Sequence, residues 1–286
     1  MVRVENTFMS RASQEIAQGK RFQFGENWSR FLTVLTDERI KYAERSLVEM
    51  LGVDRLEGKR FVDVGSGSGL FSLAARNLGA RVYSFDYDHQ AVACTAELKR
   101  RYFADDRQWE VDHGSVLDLD YLTSLGTFEV VYSWGVLHHT GAMWQALANT
   151  ATLCRPAGQL FVAIYNDQGA RSLRWRRIKR LYNQLPRFLR APYVIMALAP
   201  SELRFALSSL VKLQPGRYVR DWTRYQESSR GMSRWRNMVD WVGGYPFEVA
   251  TPEDVLDFFR GRGFELTKLK TCGGGWGCNE FVFARR

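Results

Sequence analysis

The run Asp63-Val64-Gly65-Ser66-Gly67-Ser68-Gly69 sets three glycines at alternate positions directly after a short apolar strand, Arg60-Phe-Val-Asp-Val. With no Cβ in the way, such a turn lets backbone come close to a bound ligand, and it accepts conformations that other residues resist. About 21 residues beyond Gly65, a second apolar strand, Arg81-Val-Tyr-Ser-Phe-Asp86, ends in a carboxylate. An acid at that point can accept hydrogen bonds from both hydroxyls of a ribose, so the expected ligand is a nucleoside. The dinucleotide fingerprint Gly-x-Gly-x-x-Gly would need glycine where Leu70 stands, which makes NAD the weaker candidate. A purely structural turn is the bland alternative, disfavoured because turn, strand order and carboxylate agree.

In an open parallel sheet the ligand lies beyond the carboxyl ends of the strands. That places Ser133, Trp134, His138 and His139 after one strand, and Tyr165 and Asn166 after the next, at the reacting end of a bound nucleoside. His138 and His139 are the candidate general bases, with pocket shaping or capping of the next helix as their alternative role. The glycine-rich loop Cys272 to Cys278 is expected on the same side. Its C-x5-C spacing has no matching His or Cys pair elsewhere, so no metal site is expected.

Short apolar strands alternating with helices must position these groups. A helix is expected over Asp37 to Leu51 with Asp37 as its cap, another after the glycine turn up to Gly79, and further helices near 90–103 and 143–153. Strands are expected at Trp109-Glu-Val, Phe128 to Ser133 and Gln159 to Tyr165. This is an α/β pattern, a parallel sheet with helices on both faces. The pattern breaks after Asn166 for about eighty residues. Thr251-Pro252 then opens a capped helix, and Phe264 to Lys270 with Glu280 to Phe283 form a hairpin.

These features together resemble the class I S-adenosylmethionine-dependent methyltransferases, whose first motif is an acid followed by Gly-x-Gly-x-Gly, here Asp63 and Gly65 to Gly69. The resemblance covers about Phe61 to Tyr165 and implies a seven-stranded, mostly parallel sheet closed by the antiparallel hairpin; the helical, basic cap expected after the fifth strand lies outside it. It implies S-adenosyl-L-methionine as cofactor, held by Asp63, Gly65, Ser66, Gly67, Gly69, Asp86, Tyr87, Ser115, Val116 and Ser133. Ser115 departs from the acid the family often places there, which moves adenine recognition to Asp118, Asp112 or a backbone carbonyl. Gly135 to Thr140 is similar to a Leu-x-His stretch of the family, and Phe22 to Trp28 to its leading lid segments.

The chain of 286 residues carries a net charge of +9, and that charge is local. Sixteen Lys and Arg stand against four Asp and Glu between Gln168 and Tyr245, so this segment alone carries +12 and the remainder −3. Within it, Ile178, Leu181, Tyr182 and Leu185 define the apolar stripe of a basic amphipathic helix. Ala191 to Leu213 is apolar, but Pro200, Glu202 and Arg204 interrupt it and argue against a simple membrane span. The insertion resembles, in position, that of ubiquinone-pathway O-methyltransferases, which implies peripheral membrane contact; packing against the core or a second copy in a homodimer is the alternative.

Four segments are expected: 1–57, an N-terminal helical lid; 58–167, the cofactor-binding core; 168–245, the cap; and 246–286, the closing helix and hairpin. The expected function is methylation of an O, N or S atom of a small molecule, either aromatic and quinone-like or anionic, in a cytoplasmic enzyme with membrane association as a variant. Trp28, Trp134, Tyr165, Asn166, Arg230 and Tyr245 are the candidate acceptor contacts. RNA modification is the less favoured class, since Ser133-Trp134-Gly135 stands where base N-methylation would place an Asn-Pro-Pro-Tyr motif. Binding of the cofactor for other chemistry is the third.

Overall fold

The computed structural model describes residues 11–24, 28, 32–33, 35–212, 214, 216, 220, 222 and 234–286. After α1 (Arg11–Ala17) and α2 (Asp37–Leu51), strands and helices alternate: β1 (Arg60–Val64), α3 (Leu70–Asn77), β2 (Arg81–Asp86), α4 (His89–Tyr102), β3 (Trp109–His113), α5 (Leu119–Leu125), β4 (Phe128–Trp134), α6 (Met143–Thr152) and β5 (Cys154–Tyr165). The cap follows as α7 (Ala170–Gln184), α8 (Arg187–Val211) and α9 (Arg234–Gly243). The chain returns through α10 (Pro252–Arg260), β6 (Phe264–Lys270) and β7 (Cys278–Arg285).

The seven strands form one sheet in the order β3-β2-β1-β4-β5-β7-β6, parallel except for β7, which runs antiparallel to both neighbours. β1 is buried from Phe61 to Val64 because helices cover both faces. Side chains alternate across it: Val62 and Val64 join the core under α5, α6 and α10, while Phe61 joins the one under α2, α3 and α4. Asp63 shares the face of Phe61, so its carboxylate looks toward α3. Thr251 caps α10 through a capping box with Pro252 at its start, as the sequence predicts.

Three expectations change. The N-cap of α2 is Thr36, without a side-chain hydrogen bond, and Asp37 sits inside the first turn, where its charge favours the helix dipole. On α7 the buried face is Ser172, Trp175, Lys179 and Tyr182, while Leu181 points outward. The stripe is rotated because Lys179 is drawn inside to cap the Trp241 carbonyl, displacing the aliphatic face. Finally, Pro192 and Pro200 do not break α8: all 25 residues form one helix, long and apolar enough by length and composition to cross a membrane.

A third apolar cluster holds the cap to the core. It joins Phe22 from the N-terminal segment, Trp175 and Tyr182 from α7, Val194 and Leu198 from α8, and Val242 from α9, with Tyr165 at the end of β5 packed against it.

Candidate functional site

A cavity of about 1730 Å³ opens at the carboxyl ends of β1, β2 and β4 and extends under the cap. That is more room than one drug-sized ligand requires, enough for two reactants side by side. Its core side is lined by Asp63, Gly65, Ser66, Gly67, Asp86, Tyr87, Ser115 and Val116, all expected from the sequence.

The glycine turn is packed tightly. Gly65, Gly67 and Gly69 all have positive φ. A Cβ on Gly65 would lie 2.3 Å from Val136, and one on Gly67 would lie 3.2 Å from the Trp28 indole, which covers the turn. The turn's own amides are engaged within the protein: Gly65 and Ser66 donate to the Phe85 carbonyl, Gly69 to Ser66, and Gly67 to Asp86 Oδ2 at 2.9 Å. A phosphate cradle requires such amides to point at the anion. Here three of them bond to backbone carbonyls and one to the Asp86 carboxylate, so the turn offers a pyrophosphate few free donors.

The acids define the charge of the ligand. Asp63 is buried, accepts from Ser72 Oγ at 2.6 Å, and has no ion-pair partner among the described residues. Burial pushes its carboxyl up to about 7, with the nearby Asp86 charge adding to the effect and Ser72 opposing it. Burial likewise raises Asp86 to about 6, opposed by the amides of Asp88 and Gly67. Buried Asp63 and half-buried Asp86, neither with an ion-pair partner among the described residues, fit a cationic ligand, and the Asp86 carboxylate retains acceptor lone pairs for ribose hydroxyls. S-adenosylmethionine, a nucleoside carrying a sulfonium and an ammonium, matches this donor set; a dinucleotide does not.

The two histidines part company. His139 lines the cavity, and its Nδ1 lies 2.6 Å from the Pro246 carbonyl oxygen. A carbonyl only accepts, so Nδ1 carries the proton and Nε2 keeps its lone pair. Burial holds the ring well below the usual histidine range, at about 3, with Lys179 and Arg21 lowering it further against the opposing bond to Pro246. His138 is fully buried off the cavity, tilted against the Tyr165 ring at 3.9 Å, and its Nε2 has no hydrogen-bond partner among the described residues. It is a packing residue.

Other expected contacts also lie off the cavity. Gly69 instead packs against Thr95 of α4, where a Cβ would come within 3.0 Å of backbone. Ser133 Oγ donates to the Val64 carbonyl and ties β4 to β1. Asn166 Nδ2 donates to Gly275 and its Oδ1 accepts from Asn279, which pins the Cys272 to Cys278 loop. Tyr245 accepts from the Phe22 amide through its carbonyl. Arg230 lies outside the described residues. Asp112 accepts from Tyr83 and Tyr121, and Asp118 caps α5 while still lining the cavity.

The cap side is lined by Trp134 and Tyr165, as expected, by Phe24, Trp241 and Trp276, whose segments the sequence places near the site without singling out these rings, and by Met238. Trp276, from the glycine loop, stacks on Trp241 at 5.3 Å and meets Trp175 edge-on at 5.2 Å. Among the described residues the arginines lining the cavity are Arg21 and Arg234, and each meets a carboxylate: Arg21 bonds Glu15 at 2.8 Å, and Arg234 holds both oxygens of Glu202. The arginines of α7 face outward.

A sequence model described as a methyltransferase domain matches residues 36–198. The curated ubiquinone biosynthesis O-methyltransferase of Coxiella burnetii is 26% identical over 136 residues, 47% of this chain and 53% of that protein. The enzyme of the same name from Brucella ovis is 32% identical over 119 residues, 39% of this chain and 43% of its own length. The chain thus spans about half the length of these relatives. Among solved structures, an O-methyltransferase family protein from Burkholderia thailandensis superposes with a TM-score of 0.52 at 12% identity, covering 95% of this chain and 66% of that one. Magnesium protoporphyrin IX methyltransferase from Synechocystis, solved with S-adenosylhomocysteine, gives 0.50 at 14% identity, covering 86% and 83%. These likenesses are of fold.

Proposed function

The chain belongs to the methyltransferase-domain family, and on that premise we propose that it transfers a methyl group from S-adenosylmethionine to a heteroatom of a small aromatic or quinone-like acceptor. The observation that carries this is the pair of carboxylates, buried Asp63 and half-buried Asp86, lining a cavity beside a glycine turn most of whose amides bond within the protein. When bound, the cofactor supplies a methyl already activated by the sulfonium. The protein's work is therefore alignment and proton handling.

Asp63 and Asp86 hold the cationic and ribose portions of the donor, Trp28 closes over the glycine turn, and Val116 and Ser115 flank the base. Across the cavity, Phe24, Trp134, Tyr165, Trp241 and Trp276 offer flat apolar walls suited to an aromatic ring. An anionic acceptor is the poorer match, because the lining arginines already meet carboxylates. His139 Nε2 accepts a hydrogen bond from the acceptor's X–H and so turns a lone pair of X toward the methyl. A ring held at about 3 is too weak a base to ionise a phenol beforehand. It removes the proton as methylation makes the oxygen strongly acidic.

The outer side of the cap supports a further part of this reading, attachment to an anionic membrane surface. Phe188, Ile195, Met196, Leu203, Leu207 and Leu210 recur on α8 at three-, four- and seven-residue spacings and are all exposed. Arg171, Arg174, Arg177 and Arg180 are exposed on the neighbouring α7. An apolar stripe beside a basic one suits the interface of an anionic bilayer.

Calorimetry with S-adenosylmethionine and NAD tests the donor: preference for NAD ends the proposal. With a methyl-labelled donor and a panel of phenols, His139→Gln is expected to lower kcat about a hundredfold while leaving donor affinity unchanged; full turnover by this variant removes His139 from the chemistry. Flotation with anionic vesicles should recover the wild type, and Leu203→Glu with Leu207→Glu should abolish it.

A further inference from the structure

Asp63 stands at the end of a buried hydrogen-bond chain that crosses four elements. Trp109 Nε1 of β3 donates to Ser84 Oγ of β2 at 2.9 Å, Ser84 Oγ to Ser72 Oγ of α3 at 2.8 Å, and Ser72 Oγ to Asp63 Oδ2 of β1 at 2.6 Å. Trp109, Ser84 and Ser72 are fully buried, so water does not compete for any link. The direction is fixed by the far end. An indole N–H can only donate, so Ser84 accepts from it and passes its own proton toward Ser72, which passes its proton toward the carboxylate. A proton on Oδ2 would set two donors face to face. Bonds aligned head to tail also polarise one another, which strengthens the last one.

We propose that Trp109, Ser84 and Ser72 form a one-way relay that favours the ionised form of Asp63 inside the protein, and thereby sets the affinity of the site for a cationic methyl donor. The proposal rests on the donor assignment above. The three residues are positioning residues that act through Asp63, and none of them lines the cavity. The groups facing Asp63 account for the need. Ser72 comes from α3, the carboxylate of Asp86 at the end of β2 opposes ionisation, Tyr132 lies opposite in register on β4, and no described cation bonds to it. Burial alone would favour the neutral acid, which cannot hold an ammonium or a sulfonium. The relay is the counterweight, and it ties the edge strand β3 to the donor site two strands away.

The test compares wild type, Ser72→Ala and Ser72→Thr as full-length proteins. S-adenosylmethionine is titrated calorimetrically at about pH 6.5 and about pH 8.5. Titration of Asp86 and of the donor's own amino group is common to all three proteins and cancels in the ratio of affinities. Removing a donor to the charged form should move the Asp63 midpoint up by about one unit. Ser72→Ala should then bind about eightfold more weakly than wild type at the lower pH and within about twofold at the higher, and Ser72→Thr should match wild type within about twofold at both. A loss of equal size at both pH values marks a packing defect and overturns the relay, as does no loss at all.

The Asp63 midpoint itself is read without ligand from its carboxyl carbon by NMR. An unmoved midpoint in Ser72→Ala also overturns the relay, whatever binds. A moved midpoint in a protein that fails to bind S-adenosylmethionine instead overturns the donor assignment. If Ser72→Ala does not fold, Ser84→Ala breaks the chain one link further back and should shift the midpoint in the same direction by less.

Discussion

The two sides of the cavity are built in different ways. The donor side comes from consecutive strand ends between Asp63 and Val116, braced by backbone bonds and by short polar side chains. The acceptor side draws Phe24 from the N-terminal segment, Tyr165 from β5, Trp241 from α9 and Trp276 from the β6–β7 loop, joined by ring contacts. A site made from one contiguous motif is rigid and written in a pattern. One assembled from rings far apart in the chain can change its acceptor by changing a few of them.

Three substitutions would break or sharpen that contrast. The largest effect is expected from Asp86→Ala, which removes both the carboxylate proposed to hold the ribose and the brace on Gly67. Donor affinity should fall about a hundredfold, roughly 2.7 kcal/mol, by calorimetry; a loss below about fivefold would mean the acid does not touch the donor. Next is Trp276→Ala. It removes a half-exposed ring from the acceptor wall, so the KM for the acceptor should rise about tenfold with donor affinity unchanged. If donor affinity falls as well, the two sides are not independent.

The smallest effect concerns Lys179, buried against the rings of Trp241 and Phe247 with the Trp241 carbonyl as its acceptor. Burial lowers its ammonium from 10.5 to about 7, opposed by Asp240. A lysine depressed in the folded state contributes stability that is present above pH 10.5 and is lost as pH falls through about 7. Between those values wild-type stability should rise with pH relative to Lys179→Met. Melting temperatures of the pair across this range check it, and parallel curves would mean that the ammonium stays charged inside the cap.

Much of the donor side was legible. Glycines at 65 and 67, the strand-end acid at 86 and the capping box at Thr251 each encode their role within a few residues, because turn geometry and capping are local effects. Gly69 misled for the same reason. It completes the motif by spacing, yet its missing Cβ serves the contact between α3 and α4. His138 and His139 were indistinguishable as neighbours in a sequence, and only the Pro246 carbonyl, more than a hundred residues on, gives one of them a tautomer and a place in the cavity.

The order of strands and helices, the glycine turn with its two acids, and the sequestering of positive charge in one insertion were determined by sequence alone, since each follows from periodicity, backbone freedom or composition. Tertiary structure decided where that charge goes and which groups meet. It turned the α7 arginines outward, drew Lys179 in, set Trp276 against Trp241, and aligned Trp109, Ser84 and Ser72 behind Asp63. Those outcomes depend on burial and on hydrogen bonds between segments distant in the chain, and neither quantity exists until the sheet has closed.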